Sequence, residues 1–311
     1  MAFLKEFGSY LPVKVVSNDE IGAQVGCDAE WIRNVSGIEE RRFAAEGETV
    51  CDMAVHAARD CMDRAGMALN EIKMLLVSSG SSERQFPGPA ASVAKALGLD
   101  SIPAVDLPMA SAGSLFGLSL AARLSESVGN ILVIGSEKMS QIIERPPMER
   151  AVAILFGDGA GACLVTPNDG KAEVVDSALY SDGSFSEDLR VEFGAPLEMN
   201  GRSVILQATR KIPRAISDLL AKHNCGVSEI GTFLMHQANQ NLIARIAQAL
   251  GVAEDRFYSN ISRYGNTSSA SMLIAASEWS KAVGFEAGVP VCFAAFGAGF
   301  HWGALLVVGR A

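Results

Sequence analysis

Three residues, Ser111, His236 and Asn266, combine side chains suited to acyl chemistry with settings that would present them. Ser111 stands in Asp106-Leu-Pro-Met-Ala-Ser111-Ala-Gly-Ser-Leu-Phe, after an apolar run and at the start of a long apolar helix. The start of a helix carries backbone N–H groups with no intrahelical partner, and these donors stabilise a nucleophile or an oxyanion. A cysteine thiol there would fall from a pKa of about 8.5 into the range of roughly 3.5–7.5. A serine hydroxyl gains far less and needs a base. Taken alone, the same serine reads equally well as a helix cap.

His236 ends the apolar run Phe233-Leu-Met-His236 and is followed by Gln-Ala-Asn239. The carboxyl ends of strands in α/β sheets are where functional groups are commonly displayed. Asn266, in Tyr264-Gly-Asn266-Thr-Ser-Ser-Ala-Ser, precedes a helix of small residues, where a cap or turn is the plain alternative. The other histidines carry weaker signals: His56 reads as a helix-face residue, His223 as helix-terminal and His301 as a turn residue. The loop Phe296-Gly-Ala-Gly-Phe is either an ordinary turn or a device that aims a backbone N–H into a site.

These side chains need a scaffold to meet. Apolar periodicity predicts helices over 49–66, 89–98, 112–127, 207–223, 239–251 and 268–284, with short buried strands over 74–78, 102–106, 131–135, 233–236 and 289–293. Strands alternating with helices indicate a layered α/β protein with a largely parallel, buried sheet. Phe156-Gly-Asp-Gly-Ala-Gly-Ala-Cys-Leu-Val is echoed by Phe296-Gly-Ala-Gly-Phe-His-Trp-Gly-Ala-Leu-Leu-Val, each a glycine turn entering an apolar strand. The echo predicts two similar halves around one core, residues 1–170 and 171–311.

A chain of 311 residues, 49% hydrophobic and 20% charged, has the composition of a globular protein with a large core. Its net charge of -9 argues against nucleic acid as the main partner. No apolar run reaches the roughly 18 residues of a membrane span. Met1-Ala-Phe-Leu-Lys-Glu lacks a basic region followed by an apolar stretch, so a soluble cytoplasmic protein is expected. Cys27, Cys51, Cys61, Cys163, Cys225 and Cys292 show no CxxC or metal-like spacing and read mostly as small core residues. Neither a disulfide framework nor a metal site is expected.

In joint order and spacing these segments resemble the thiolase-like condensing enzymes, most closely the β-ketoacyl-acyl carrier protein synthase III family. The resemblance runs through Gly8-Ser-Tyr-Leu-Pro, Glu30-Trp-Ile, Gly37-Ile-Glu-Glu-Arg-Arg, Phe86-Pro, Phe156-Gly-Asp-Gly-Ala-Gly, His236-Gln-Ala-Asn, Gly265-Asn-Thr-Ser and Phe300-His-Trp-Gly. It implies a five-layered αβαβα fold of two similar halves, a homodimer, and an active site at the junction of the halves. It also implies a decarboxylative Claisen condensation: an acyl group passes from coenzyme A to the nucleophile, and a malonyl thioester, on acyl carrier protein or coenzyme A, loses carbon dioxide and attacks it. No permanently bound cofactor is implied. Coenzyme A thioesters are substrates. By the same resemblance Ser111 holds the nucleophile position, and His236 and Asn266 hydrogen-bond the malonyl thioester carbonyl. The backbone N–H groups of Ser111 and Ala298 form the oxyanion hole. Trp31 and Arg150 hold the adenine, Asn239 contacts the pantetheine arm, and Phe86 enters the acyl pocket of a neighbouring subunit.

Departures from the family pattern are as informative. The nucleophile is commonly cysteine, so Ala-Ser111-Ala-Gly departs from Ala-Cys-Ala-Gly by one atom. Arg is common where this chain has Val35, with Arg33 nearby as a substitute. Asn241, Gln248 and Ala249 stand where carrier-contacting basic residues are usual, leaving Arg202, Arg210, Lys211, Arg214 and Arg245 as basic candidates. Three readings follow: a condensing enzyme in which serine replaces the native cysteine, a natural serine-nucleophile acyltransferase with His236 as base, or a silent thioester-binding partner subunit. Within the first, fatty acid initiation competes with starter roles in polyketide, quinolone or biotin-precursor synthesis.

Overall fold

Buried strands and capped helices alternate along the chain, and the computed structural model describes residues 1–310. The first part runs β1 (Phe3–Tyr10), β2 (Lys14–Ser17), α1 (Asn18–Val25), α2 (Ala29–Ser36), β3 (Glu40–Phe43), α3 (Val50–Ala65), β4 (Met74–Ser78), α4 (Pro89–Leu97), β5 (Ala104–Leu107), α5 (Gly113–Val128), β6 (Ile131–Glu137), α6 (Ser140–Ile143), α7 (Arg150–Ala153) and β7 (Gly159–Thr166). The second runs β8 (Ala172–Ser181), β9 (Leu189–Val191), β10 (Leu197–Met199), α8 (Gly201–Lys222), β11 (Thr232–Met235), α9 (Gln240–Leu250), β12 (Phe257–Tyr258), α10 (Ile261–Tyr264), α11 (Ser271–Ala282), β13 (Pro290–Gly297) and β14 (His301–Gly309).

Ten strands form one sheet in the order β12-β11-β13-β14-β8-β1-β7-β6-β4-β5. At its centre β1 and β8 pair antiparallel through Phe3↔Glu173 and Leu4↔Ala172. Outward from that seam the pattern is the same on both sides, antiparallel pairings first and parallel ones at the edge. The sheet is therefore mixed, which corrects the expectation of a largely parallel one. Only connections long enough to hold a crossover helix, such as α4 or α9, give parallel neighbours; the short turn from β13 to β14 forces an antiparallel pair.

Five layers result. Helices α3 and α4 cover one outer face through Met53, Ala57, Val93 and Leu97, and α8 and α9 cover the other through Ile212, Ile216, Ile243 and Ile246. Between the two sheet halves lie α5 and α11, whose Leu115, Leu118, Leu273 and Ala276 pack with Phe7, Cys163, Phe293 and Leu305. Glycine permits this closeness: a Cβ on Gly161 would stand 2.6 Å from the Leu273 Cβ. Strands β6 and β7 are buried along their whole length, as continuous apolar runs require.

Local chemistry sets the helix ends. Thr49 and Asp52 form a reciprocal capping box on α3, which stops at Gly66 with φ 65°. Helix α8 begins at Gly201 rather than 207, because Asn200 caps it and its first turns carry exposed apolar residues, Ile205 and Leu206, that break the helical period. All six cysteines are free; Cys61, Cys163 and Cys292 are buried and the others half-buried. Among the described residues, no helix is long and apolar enough to cross a membrane.

Candidate active site

Ser111 sits in the turn between β5 and α5 with φ 63°, a left-handed conformation that costs a non-glycine residue roughly 1–2 kcal/mol. Its surroundings impose that geometry. The Ser78 hydroxyl donates to the Met109 carbonyl at 3.1 Å, and the Ala112 N–H donates to the Ala110 carbonyl at 2.7 Å. The loop after β13 presses on the same turn: a Cβ on Gly297 would lie 2.1 Å from the Ala110 carbonyl oxygen. Ser111 does not cap α5. That helix opens at Ala112 with no side-chain cap, leaving its first N–H groups without a side-chain acceptor beside the serine.

A second serine answers the first. Ser268, with φ 49°, precedes α11 as Ser111 precedes α5, and its Oγ accepts the Ser111 N–H at 3.0 Å. Of the oxyanion pair expected from Ser111 and Ala298, the Ser111 donor is taken by a hydroxyl in the free protein. The Ala298 N–H meets no acceptor among the described residues. Ser268 Oγ in turn donates to Glu137 Oε1 at 3.0 Å. The Glu137 carboxylate, wholly buried at the end of β6, is ringed by donors: the Gly80 N–H, the Ser269 N–H and the hydroxyls of Ser81 and Ser269. Neither Ser268 nor Glu137 was singled out from sequence. The available signal was a carboxylate closing an otherwise apolar strand, Ile131-Leu-Val-Ile-Gly-Ser-Glu137.

His236 follows β11 and is 1% exposed. Its Nδ1 lies 2.7 Å from Ser271 Oγ, an oxygen that also accepts the Gln237 N–H at 3.1 Å. Burial pushes the imidazole pKa down to about 3, with the Ser268 backbone carbonyl offsetting part of the shift. Asn266 is oriented by the Ser268 N–H, which donates to its Oδ1 at 2.9 Å. Its Nδ2 makes only a 3.5 Å contact to the Ala238 carbonyl, so the amide presents donors to the space it borders.

Two cavities meet at Ser111 and Phe156. One, of about 180 Å³, is walled by Met139, Ile142, Leu189, Val191 and Leu197, with Ala298 and Ser268 at its inner end. The other, of about 90 Å³, is bordered by His236, Asn266, Asn239, Val204 and Phe296. The structure thus brings Ser111, His236, Asn266 and Ala298 to the junction of two mostly apolar cavities, the first also lined by Arg190 and the second holding the His236 and Asn266 side chains.

The outer residues divide. The Arg150 guanidinium stands 5.1 Å from the Trp31 ring centre, a cation–π pair at the surface. Arg33 falls elsewhere: two positions along α2 from Trp31, it lines a separate groove with Asp19, Glu30 and Glu39. Asn239 borders the second cavity, but its amide already caps α9 and donates to the Val35 carbonyl at 2.9 Å. Phe86 is 82% exposed, which excludes core packing. Lys211 is withdrawn from the basic candidates, since it pairs with Asp182 at 2.7 Å and lies over the Trp302 ring at 4.3 Å.

A duplicated layered sandwich with its cavities at the N-termini of the two central helices is the architecture of a thiolase-fold condensing enzyme. Residues 105–183 match the family described as 3-Oxoacyl-[acyl-carrier-protein (ACP)] synthase III, and residues 220–308 match its C-terminal region. The chain is 36% identical over 309 residues to beta-ketoacyl-[acyl-carrier-protein] synthase III 1 of Vibrio parahaemolyticus, covering 96% of this chain and 97% of that protein. The crystal structure of 3-oxoacyl-[acyl-carrier-protein] synthase III from Aquifex aeolicus superposes with a TM-score of 0.94 at 32% identity, over 99% of this chain and all of the other. A priming β-ketosynthase of the R1128 polyketide pathway gives 0.92 at 30% identity, over 100% and 97% of the two chains. The chain belongs to the β-ketoacyl-acyl carrier protein synthase III family.

Proposed function

We propose that the chain transfers an acyl group from a coenzyme A thioester to Ser111 and condenses it with a malonyl thioester, releasing carbon dioxide and a β-ketoacyl product. The observation that carries this reading is the meeting of two cavities at Ser111. The acyl chain would occupy the apolar cavity, with the Ala298 N–H at its carbonyl oxygen. The malonyl thioester carbonyl would lie against His236 and Asn266, whose N–H groups stabilise the enolate left by decarboxylation.

The hydrogen-bond network supports His236 as a donor rather than a base. Because Ser271 Oγ already accepts the Gln237 N–H, its own proton is free for His236 Nδ1. With Ser271 Oγ as that donor, the ring carries its proton on Nε2. A pKa of about 3 keeps the ring neutral. Both features favour condensation over an ester-forming reaction that relies on His236 as general base.

Coenzyme A is held, in this reading, with its adenine at the Trp31 and Arg150 pair and its pantetheine arm passing Asn239. The malonyl carrier is acyl carrier protein or coenzyme A itself; Arg202, Arg210, Arg214 and Arg245 are exposed basic residues on α8 and α9. A homodimer would pair the free edge of β5, where Val105 is 39% exposed, and seat Phe86 in the partner's acyl cavity. The test is mass spectrometry of the chain and of Ser111→Cys against a panel of acyl-coenzyme A primers. An acyl adduct on the chain or on Ser111→Cys is expected, absent in Ser111→Ala, with β-ketoacyl product on adding malonyl thioester. No adduct and no product with any primer would sink the reading.

A further inference from the structure

We propose that Ser268, anchored by Glu137, is the hydrogen-bond acceptor that orients the Ser111 hydroxyl for attack, making Ser268 and Glu137 positioning residues for a serine nucleophile. The inference rests on the acyl-serine reading above and supplies what that reading lacks. A serine hydroxyl needs an acceptor for its proton, and burial leaves His236 a weak base whose Nδ1 is engaged by Ser271 Oγ.

A hydroxyl has one proton and two lone pairs. The Ser268 proton is committed to Glu137 Oε1 at 3.0 Å, and one lone pair takes the Ser111 N–H at 3.0 Å. The second lone pair remains, on an oxygen that borders the same cavity as Ser111. The Ser111 hydroxyl has no hydrogen-bonding partner among the described residues, and it belongs to the residue whose N–H already reaches that oxygen at 3.0 Å. Glu137 fixes the direction of the arrangement. The Gly80 N–H and the hydroxyls of Ser81, Ser268 and Ser269 all donate to its oxygens, so Ser268 turns its proton to Glu137 and a lone pair toward Ser111. When a thioester enters, its carbonyl oxygen takes the Ser111 N–H in place of Ser268 Oγ; as the Ser111 oxygen bonds the acyl carbon the carbon–sulfur bond breaks, and the hydroxyl proton goes to the departing coenzyme A thiolate.

The dependence on nucleophile chemistry provides the test. A thiol is a weak donor, and a thiolate has no proton to hold, so the Ser111→Cys form gains little from this acceptor. Single-turnover acylation, followed as coenzyme A release with intact mass, is measured in Ser268→Ala and Ser268→Gly, each in the serine and the Ser111→Cys backgrounds. The glycine variant removes the hydroxyl without the strain that alanine meets at φ 49°. In the serine background both variants are expected to slow acylation by roughly 10–100-fold, the range of one hydrogen bond in a charged network. In the Ser111→Cys background the loss should stay within about threefold, since the sulfur hydrogen bond is weak. Equal losses in both backgrounds, or none in either, overturn the inference and leave the acyl-enzyme reading standing. If neither parent takes up an acyl group from any primer, both fall.

Discussion

The two central helices open on matching serines, and the difference between them locates the chemistry. Ser111 and Ser268 share a left-handed backbone, with φ 63° and 49°, and each precedes a helix sandwiched between the two sheet halves. Their hydroxyls differ in fate. That of Ser268 is bonded inside the protein to Glu137, whereas that of Ser111 faces a cavity of about 180 Å³. One backbone geometry serves twice and, in the proposed reaction, once displays the nucleophile and once braces it. The sequence around α11 then adds what α5 lacks, since Asn266 and Ser271 orient the donors that border the second cavity.

The sharpest way to break this division is through the donors on the α11 side. His236→Ala and Asn266→Ala should each lower condensation by roughly 10²–10³-fold, the usual cost of removing a donor from a developing oxyanion. Acyl uptake on Ser111 should change far less, because neither side chain borders the apolar cavity. Rapid-quench measurement of the two half-reactions separates them. Equal losses in both would mean that the elbows do not divide the reaction.

A smaller effect tests the elbows themselves. Ser111→Gly removes a strained backbone and a hydroxyl without protein partners, so stability should hold or rise by up to about 1 kcal/mol. Ser268→Gly removes equal strain together with a bond to a buried carboxylate, and should lower stability by about 1–3 kcal/mol. Urea midpoints at unchanged slope read the sign of each. Shifts of the same sign would deny the difference between display and brace.

Much of the scaffold was legible because its signals are local. The six expected helices correspond to α3, α4, α5, α8, α9 and α11, since apolar periodicity and caps such as Thr49 and Asn239 act within a few residues. The echo of Phe156-Gly-Asp-Gly in Phe296-Gly-Ala-Gly anticipated the repeated strand pattern about the β1–β8 seam. The antiparallel centre was not legible, because pairing of β1 with β7 and of β8 with β14 joins segments far apart in sequence. Ser111, His236 and Asn266 were singled out because each stands at the end of a recognisable element, and the structure brings them together. Glu137 and Ser268 were not, for their role exists only across 131 residues of chain. Arg33 lies apart from the Trp31 ring because, on a helix, a residue two positions away points to another side.

The two glycine turns sharpen the comparison through pH. Asp158 holds the place in the first turn that Ala298 holds in the second, and burial raises its pKa to about 6 despite hydrogen bonds from Ser140 and Ala44. Between its unfolded value near 3.8 and about 6, the native protein therefore holds a proton that the unfolded chain has lost, and stability falls as pH rises. His236 acts in the opposite sense. Its pKa of about 3 lies below the unfolded 6.5, so the unfolded chain binds the extra proton in that window and stability rises with pH. Each slope is about 1.4 kcal/mol per pH unit, and from pH 4.5 to 6 the two nearly cancel. Asp158→Asn removes one of them. Its stability should fall on acidification from pH 6 to 4.5 by about 1–2 kcal/mol more than that of the parent. Urea midpoints across that interval give the test, and parallel curves for the two proteins would mean that Asp158 is ionised at its turn and that the buried aspartate does not offset His236.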